Sequence, residues 1–188
     1  MIMKDKMNKL QMFGIYVWQW KNFLNEKECD KMIGAVQAND LRDYHYLTGN
    51  AKTTMGNMGG GGQNHFLDFH KDIEDKIGKE WFVKDQRMSE SWLSVQGKGS
   101  KLQYHCHPNS IISGLIYLRA DEKSSKLFFQ NPMSLDNETW SIQPETGMML
   151  MWPSFLMHGS GTSINESEER IVLGFNSYWK GVPDELGK

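Results

Sequence analysis

Residues 101–118, "KLQYHCHPNSIISGLIYL", decide the fold. His105 and His107 stand one residue apart in a β-prone run, and side chains at i and i+2 of a strand share a face. Pro108 then removes a ladder donor, "HPNS" is turn chemistry, and "IISGLIYL" resumes a strand rich in β-branched residues. Outward from this stretch the same pattern recurs: "ESWLSV" before it, then "KLFFQ", "TWSIQ", "MMLMW", "FLMHGS" and "RIVLGFNSYW" after it. Separators such as "QGKGS", "PETG" and "NESEE" carry turn residues. Eight short strands over residues 89–179 predict a jelly-roll or double-stranded β-helix, cupin-like in outline.

The front of the chain is expected to decorate that core. "MFGIYVWQWKNFL" is β-prone, with Tyr16, Trp18 and Trp20 alternating. In "NEKECDKMIGAV", Asn25 and Glu28 have the spacing of a capping box, and Met32, Ile33 and Val36 supply an apolar stripe. Residues 43–65 read as one long loop centred on the run Gly59–Gly62, whose backbone entropy argues against a regular element. A phosphate cradle there lacks the Lys-Ser/Thr of a P-loop, which leaves a flexible lid over substrate or a disordered loop as the expectation. "FLDFHKDIEDKIGKEWF" places Phe66, Phe69, Ile73, Ile77 and Trp81 at helical spacing. The whole, 1–188, is read as a single domain, with a strand, helices and a Gly-rich loop over 1–88 and the jelly-roll core over 89–179. The fold class is mainly β with flanking helices.

A formal charge of −2 and a pI near 6.3 give no electrostatic footprint for nucleic acid. No apolar stretch reaches membrane-spanning length, and charges in "MIMKDKMNKL" argue against a secretory signal. Cys29 and Cys106 could form one disulfide at most, so a cytoplasmic protein with reduced thiols is the expectation. Seven Trp and 13 Met suit either a core or an interface, so an oligomer stays open.

His105 and His107 fall at the end of the predicted second strand and His158 on the seventh, which can lie side by side in such a barrel. The three imidazoles could then meet around one metal, leaving positions open for water, oxygen or substrate. Period two puts Gln103 on their face and Cys106 on the other. His45, His65 and His70 are read as hydrogen-bonded core or surface residues. On the last strand Arg170, Val172, Gly174, Asn176 and Tyr178 share a face, so Arg170 offers a carboxylate-binding fork and Asn176 could look into the same cavity. Tyr117 on the third strand is a further inward hydroxyl. The plainer alternatives are a surface ion pair of Arg170 with Glu168 or Glu169 and an ordinary half-buried Tyr117.

The order "SW…HCHPNSIISGLIYL…IQPETGMMLMWPSFLMHGSG…RIVLGFN" resembles the small 2-oxoglutarate- and Fe(II)-dependent oxygenases found in marine bacteria and their phages. The resemblance covers roughly residues 89–179, including the P-x-x-G turn Pro144 to Gly147. It implies that His105 and His158 are iron ligands and that Arg170, supported by Tyr117, holds the distal carboxylate of 2-oxoglutarate. Asn176 falls beside that cosubstrate, with Trp92, Asn109 and Trp152 lining a substrate pocket. Decarboxylation to succinate and carbon dioxide would be coupled to oxidation of an unidentified substrate, most often hydroxylation, in the host cytoplasm if the gene is a phage's.

His107 departs from the wider superfamily, which has Asp or Glu there. A neutral imidazole leaves the site one unit more positive and favours zinc or nickel more than a carboxylate does, and it is not the vacancy that admits a halide. Two rivals come from other classes. One is a cupin-like three-histidine dioxygenase that needs no 2-oxoglutarate, from which Arg170 discriminates. The other is a non-catalytic jelly-roll binding or structural module, which would have neither iron affinity nor turnover.

Overall fold

A computed structural model describes residues 7–12, 14–55, 66–80, 86–134, 136 and 138–179. A hairpin opens it, β1 (Asn8–Met12) and β2 (Ile15–Trp20), turning at Gly14 with φ 76°. The expected single strand is thus two, because only a glycine accepts that backbone at no steric cost. Helix α1 (Glu26–Gly34) starts where Asn25 Oδ1 accepts from the Glu28 N–H at 3.1 Å and the Asn25 N–H donates to Glu28 Oε2 at 2.8 Å. The capping box is therefore formed.

β3 (Leu47–Thr48) and β4 (Ala51–Thr53) follow, which corrects the continuous loop expected over 43–65. Their sequences are too short to carry a period of their own. β4 exists because its backbone pairs with β5, a partner that local pattern cannot reveal. The glycine run Gly59–Gly62, His65 and Trp81 lie outside the described residues. α2 (Leu67–Glu80) then buries Phe69, Ile73 and Ile77, the stripe the spacing predicts.

The remaining strands are β5 (Gln86–Gln96), β6 (Lys101–Leu102), β7 (Ile112–Arg119), β8 (Leu127–Gln130), β9 (Thr139–Ile142), β10 (Met149–Pro153), β11 (His158–Gly159) and β12 (Arg170–Trp179). They form a seven-stranded sheet in the order β1-β2-β10-β7-β12-β5-β4, a three-stranded sheet β11-β8-β9, and the pair β3-β6. Two stacked sheets with flanking helices match the predicted fold class. β2 pairs with β10, so the N-terminal hairpin extends the same sheet as the core strands.

Strand alternation sorts side chains into two cores. Met149, Met151, Leu173 and Phe175 join Phe69, Ile73 and Ile77 under the helices. Leu150, Trp152, Val172, Leu115 and Tyr117 point the other way and meet Leu127, Phe129 and Ile142 of the smaller sheet. The predicted second strand is the main departure. Only Lys101–Leu102 is regular, and residues 103–107 touch the ladder through an isolated bridge of His105 to His158. No helix among the described residues is long and apolar enough to cross a membrane.

Candidate metal centre

One bridge positions two of the three histidines. The His105 N–H donates to the His158 carbonyl and the His158 N–H to the His105 carbonyl, each at 3.0 Å. His107 arrives two residues on, its N–H bonded to the Ser154 carbonyl at 3.0 Å. Ring centroids are 4.4 Å apart for His105–His158, 5.0 Å for His105–His107 and 5.3 Å for His107–His158. One nitrogen from each ring lies within 4.8 Å of the others. Three imidazole donors gathered in this way would suit a divalent transition metal.

Burial holds the rings in their neutral form, each with one nitrogen lone pair able to ligate. His107 is pushed down to about 4 by burial and then by His105. Burial also lowers His105, and it lowers His158 well below the usual imidazole value with help from the other two rings. All three are neutral at pH 7, which metal binding requires. His105 Nδ1 lies 2.9 Å from the Gln103 carbonyl and His158 Nδ1 2.9 Å from the Leu156 carbonyl. A carbonyl only accepts, so each Nδ1 carries the proton and each Nε2 presents its lone pair.

The trio opens into a cavity of about 270 Å³. Arg170, Val172, Gly174 and Asn176 line it in the predicted alternation, whereas Tyr178 does not. A bulge between Asn176 and Ser177 shifts the phase, and Tyr178 instead lies under the Arg87 guanidinium at 4.7 Å. Gly174 has its own requirement: a Cβ there would fall 2.6 Å from the Trp92 indole, which lines the cavity. Trp152 and, at the exposed rim, Asn109 line it as well.

Arg170 is 2% exposed, and neither Nε nor Nη1 has a partner. This burial overturns the surface ion pair with Glu168 or Glu169, and Glu169 instead binds Arg119 at 2.8 Å. Tyr117 is fully buried, with the Arg170 guanidinium carbon 5.1 Å from its ring centroid and its hydroxyl unpartnered. It backs the arginine and does not itself line the cavity. Burial raises the Tyr117 phenol and lowers the Arg170 guanidinium, each shift opposed by the other group.

Three expectations need correction. Gln103 is exposed and outside the cavity lining, while Cys106 lines it. Both follow from the loss of regular strand after Leu102, which cancels the period-two argument. Asn176 is not free for a cosubstrate, since its amide binds Glu90 at 2.9 Å and Ser113 at 2.7 Å and lies 3.2 Å from His107 Nδ1. His70 is hydrogen-bonded as expected, its Nε2 2.8 Å from Ser91 Oγ, and His45 is exposed.

Sequence reasoning also missed residues. Glu90, Ser94 and Gln96 line the cavity beside the expected Trp92. The alternation applied to the last strand would have found them on β5. Tyr46 stacks on His105 with centroids 4.8 Å apart, and Tyr44 lies beside it. Only the unforeseen β3–β6 pairing brings them in.

Two sheets closing over three neutral imidazoles and a buried arginine with two unpaired donor nitrogens form a double-stranded β-helix, the fold of the 2-oxoglutarate oxygenases. Residues 90–176, the stretch that carries all four side chains, match the family model described as "Putative 2OG-Fe(II) oxygenase". No curated protein matches the sequence.

Solved structures do. The viral collagen prolyl hydroxylase of Paramecium bursaria Chlorella virus-1 is 14% identical, with 87% of this chain and 96% of that one covered and a TM-score of 0.59. A Pseudomonas putida prolyl-4-hydroxylase is 14% identical over 85% and 91%, TM-score 0.60. HygX of Streptomyces hygroscopicus, with nickel and 2-oxoglutarate bound, is 13% identical over 88% and 83%, TM-score 0.67. At such identities the likeness shows the fold. The family match shows the class of enzyme, a 2-oxoglutarate-dependent non-haem iron oxygenase with Fe(II) and 2-oxoglutarate as its cofactors.

Proposed function

We propose that His105, His107 and His158 hold the iron, that Arg170 backed by Tyr117 holds the far carboxylate of 2-oxoglutarate, and that the enzyme hydroxylates a substrate entering past Trp92, Asn109 and Trp152. The observation that carries the cosubstrate assignment is the buried guanidinium with two unpaired nitrogens. A buried charge without a partner costs several kcal/mol, and here Arg170 Nε and Nη1, Tyr117 Oη and Trp152 Nε1 are all buried and unpaired. Such a set of donors fits an anion, and Arg170 offers a carboxylate two parallel hydrogen bonds. No comparable observation favours a three-histidine dioxygenase that works without 2-oxoglutarate.

Bound iron supplies the coupling of oxygen reduction and 2-oxoglutarate decarboxylation to substrate oxidation. The chain's own share is positioning. The His105–His158 bridge fixes two donors on the backbone, the buried arginine orients the cosubstrate, and Leu102 and Val172 add apolar wall to the cavity. Free thiols at Cys29 and Cys106 suit a reducing cytoplasm, and the shared sheet suits a single domain. Anaerobic titration with iron(II) and then 2-oxoglutarate tests the proposal. The weak visible charge-transfer band of the chelate should rise and saturate, followed in air by succinate release. A protein that binds neither would belong to the non-catalytic jelly rolls.

A further inference from the structure

His107 is held differently from its two companions. His105 and His158 each turn Nδ1 toward a backbone carbonyl, whereas His107 Nδ1 faces the side-chain nitrogen of Asn176 at 3.2 Å. The direction of that contact is fixed by a row of residues across three strands. Ser113 on β7, Asn176 on β12 and Glu90 on β5 are register partners. Asn176 Nδ2 donates to Glu90 Oε1 at 2.9 Å, and Asn176 Oδ1 accepts from Ser113 Oγ at 2.7 Å. Ser113 Oγ is also 2.8 Å from Ser154 Oγ, so Ser154 donates to it while its own proton goes to the amide. Turning the amide over would set its oxygen 2.9 Å from a carboxylate oxygen, with no proton between them. The nitrogen therefore faces His107.

We propose that Glu90 and Asn176 are positioning residues that make His107 the weak, exchangeable member of the trio. The second amide proton of Asn176 donates to His107 Nδ1, which places the ring proton of neutral His107 on Nε2. His105 and His158 present free Nε2 lone pairs, while His107 must move its proton to Nδ1 before Nε2 can bind a metal. That move sets two N–H groups against each other. The usual arrangement has a carboxylate or carbonyl accepting from the outer nitrogen of a ligating histidine. Here the carboxylate is present, one amide further out. The inference rests on the trio holding a metal only for its consequence, since the tautomer is a property of the metal-free protein.

The double substitution Glu90→Gln with Asn176→Asp exchanges amide and carboxylate with almost no change of shape or net charge. The amide now on β5 then donates to the carboxylate now on β12, and that carboxylate accepts from His107 Nδ1. Two-bond 15N–1H correlation spectra of the metal-free protein, assigned by loss of signal in His107→Gln, should show His107 protonated on Nε2 and the other two on Nδ1. In the double variant His107 should switch to Nδ1. Cobalt(II) affinity, read from its visible absorption, should rise at least about tenfold with the switch. In the otherwise native chain His107→Gln should cost less than about tenfold, and His105→Gln at least about a hundredfold. His107 carrying its proton on Nδ1 in the native protein would overturn the proposal. So would a converted tautomer with unchanged affinity, or equal losses from the two single variants. Absence of cobalt binding in every variant would instead sink the metal assignment, while the spectra still decide the tautomer.

Discussion

The two faces of β12 follow opposite rules. Leu173 and Phe175 turn toward the helices and are completely buried among apolar neighbours. Arg170 and Asn176 turn toward the cavity and are as deeply buried, yet one is a charge with unpaired donors and the other an amide wholly committed to neighbours. The outer face stabilises the fold, and the inner face holds buried donors that a ligand can satisfy. Residues one position apart therefore divide stability from binding.

The division breaks if substitutions on either face spill into the other. Phe175→Ala should have the largest effect, lowering stability in urea by about 3–5 kcal/mol through the cavity it leaves, while the folded protein keeps its 2-oxoglutarate affinity. Arg170→Met should do the reverse. By calorimetry, 2-oxoglutarate affinity should fall by about 2–5 kcal/mol, while the melting temperature holds or rises because an unpaired buried charge is gone. An unchanged affinity would leave the inner face without its assigned purpose.

A third test uses pH. His107 titrates near 4 in the folded protein against 6.5 for a free imidazole, and His105 and His158 are lowered too. Between those values the unfolded chain takes up protons that the folded chain refuses. Melting temperature of the metal-free protein should be highest above about pH 6.5 and fall as pH drops toward 4. Bound metal should move that loss to lower pH. The smallest effect is expected furthest from the cavity: Asn25→Ala should cost about 1 kcal/mol of stability and leave cosubstrate affinity untouched.

How much of this the sequence reveals depends on what holds each part together. The capping box at Asn25 and the stripe of α2 are local, and both are legible. The inward row of β12 is legible up to its bulge, since alternation is a property of one strand. His105, His107 and His158 are readable as a set because the barrel order pairs their strands. Tyr46 and β4 are not, because their places come only from distant partners. Glu90 was within reach but hidden by what it does. A lone Glu in a β-run looks solvated, whereas its place in the cavity lining and its hydrogen bond to Asn176 show that it faces inward.

The space left by Gly174 admits Trp92 beside the trio, its ring centroid 5.8 Å from that of His107, and Trp152 lies 4.8 Å from His158. Trp18 and Trp20 sit in the other core, beneath the helices. The enzyme thus carries a built-in fluorescent gauge. A paramagnetic ion seated among the imidazoles should quench the near pair of indoles and spare the far one, so occupancy can be followed by emission without a label or a substrate.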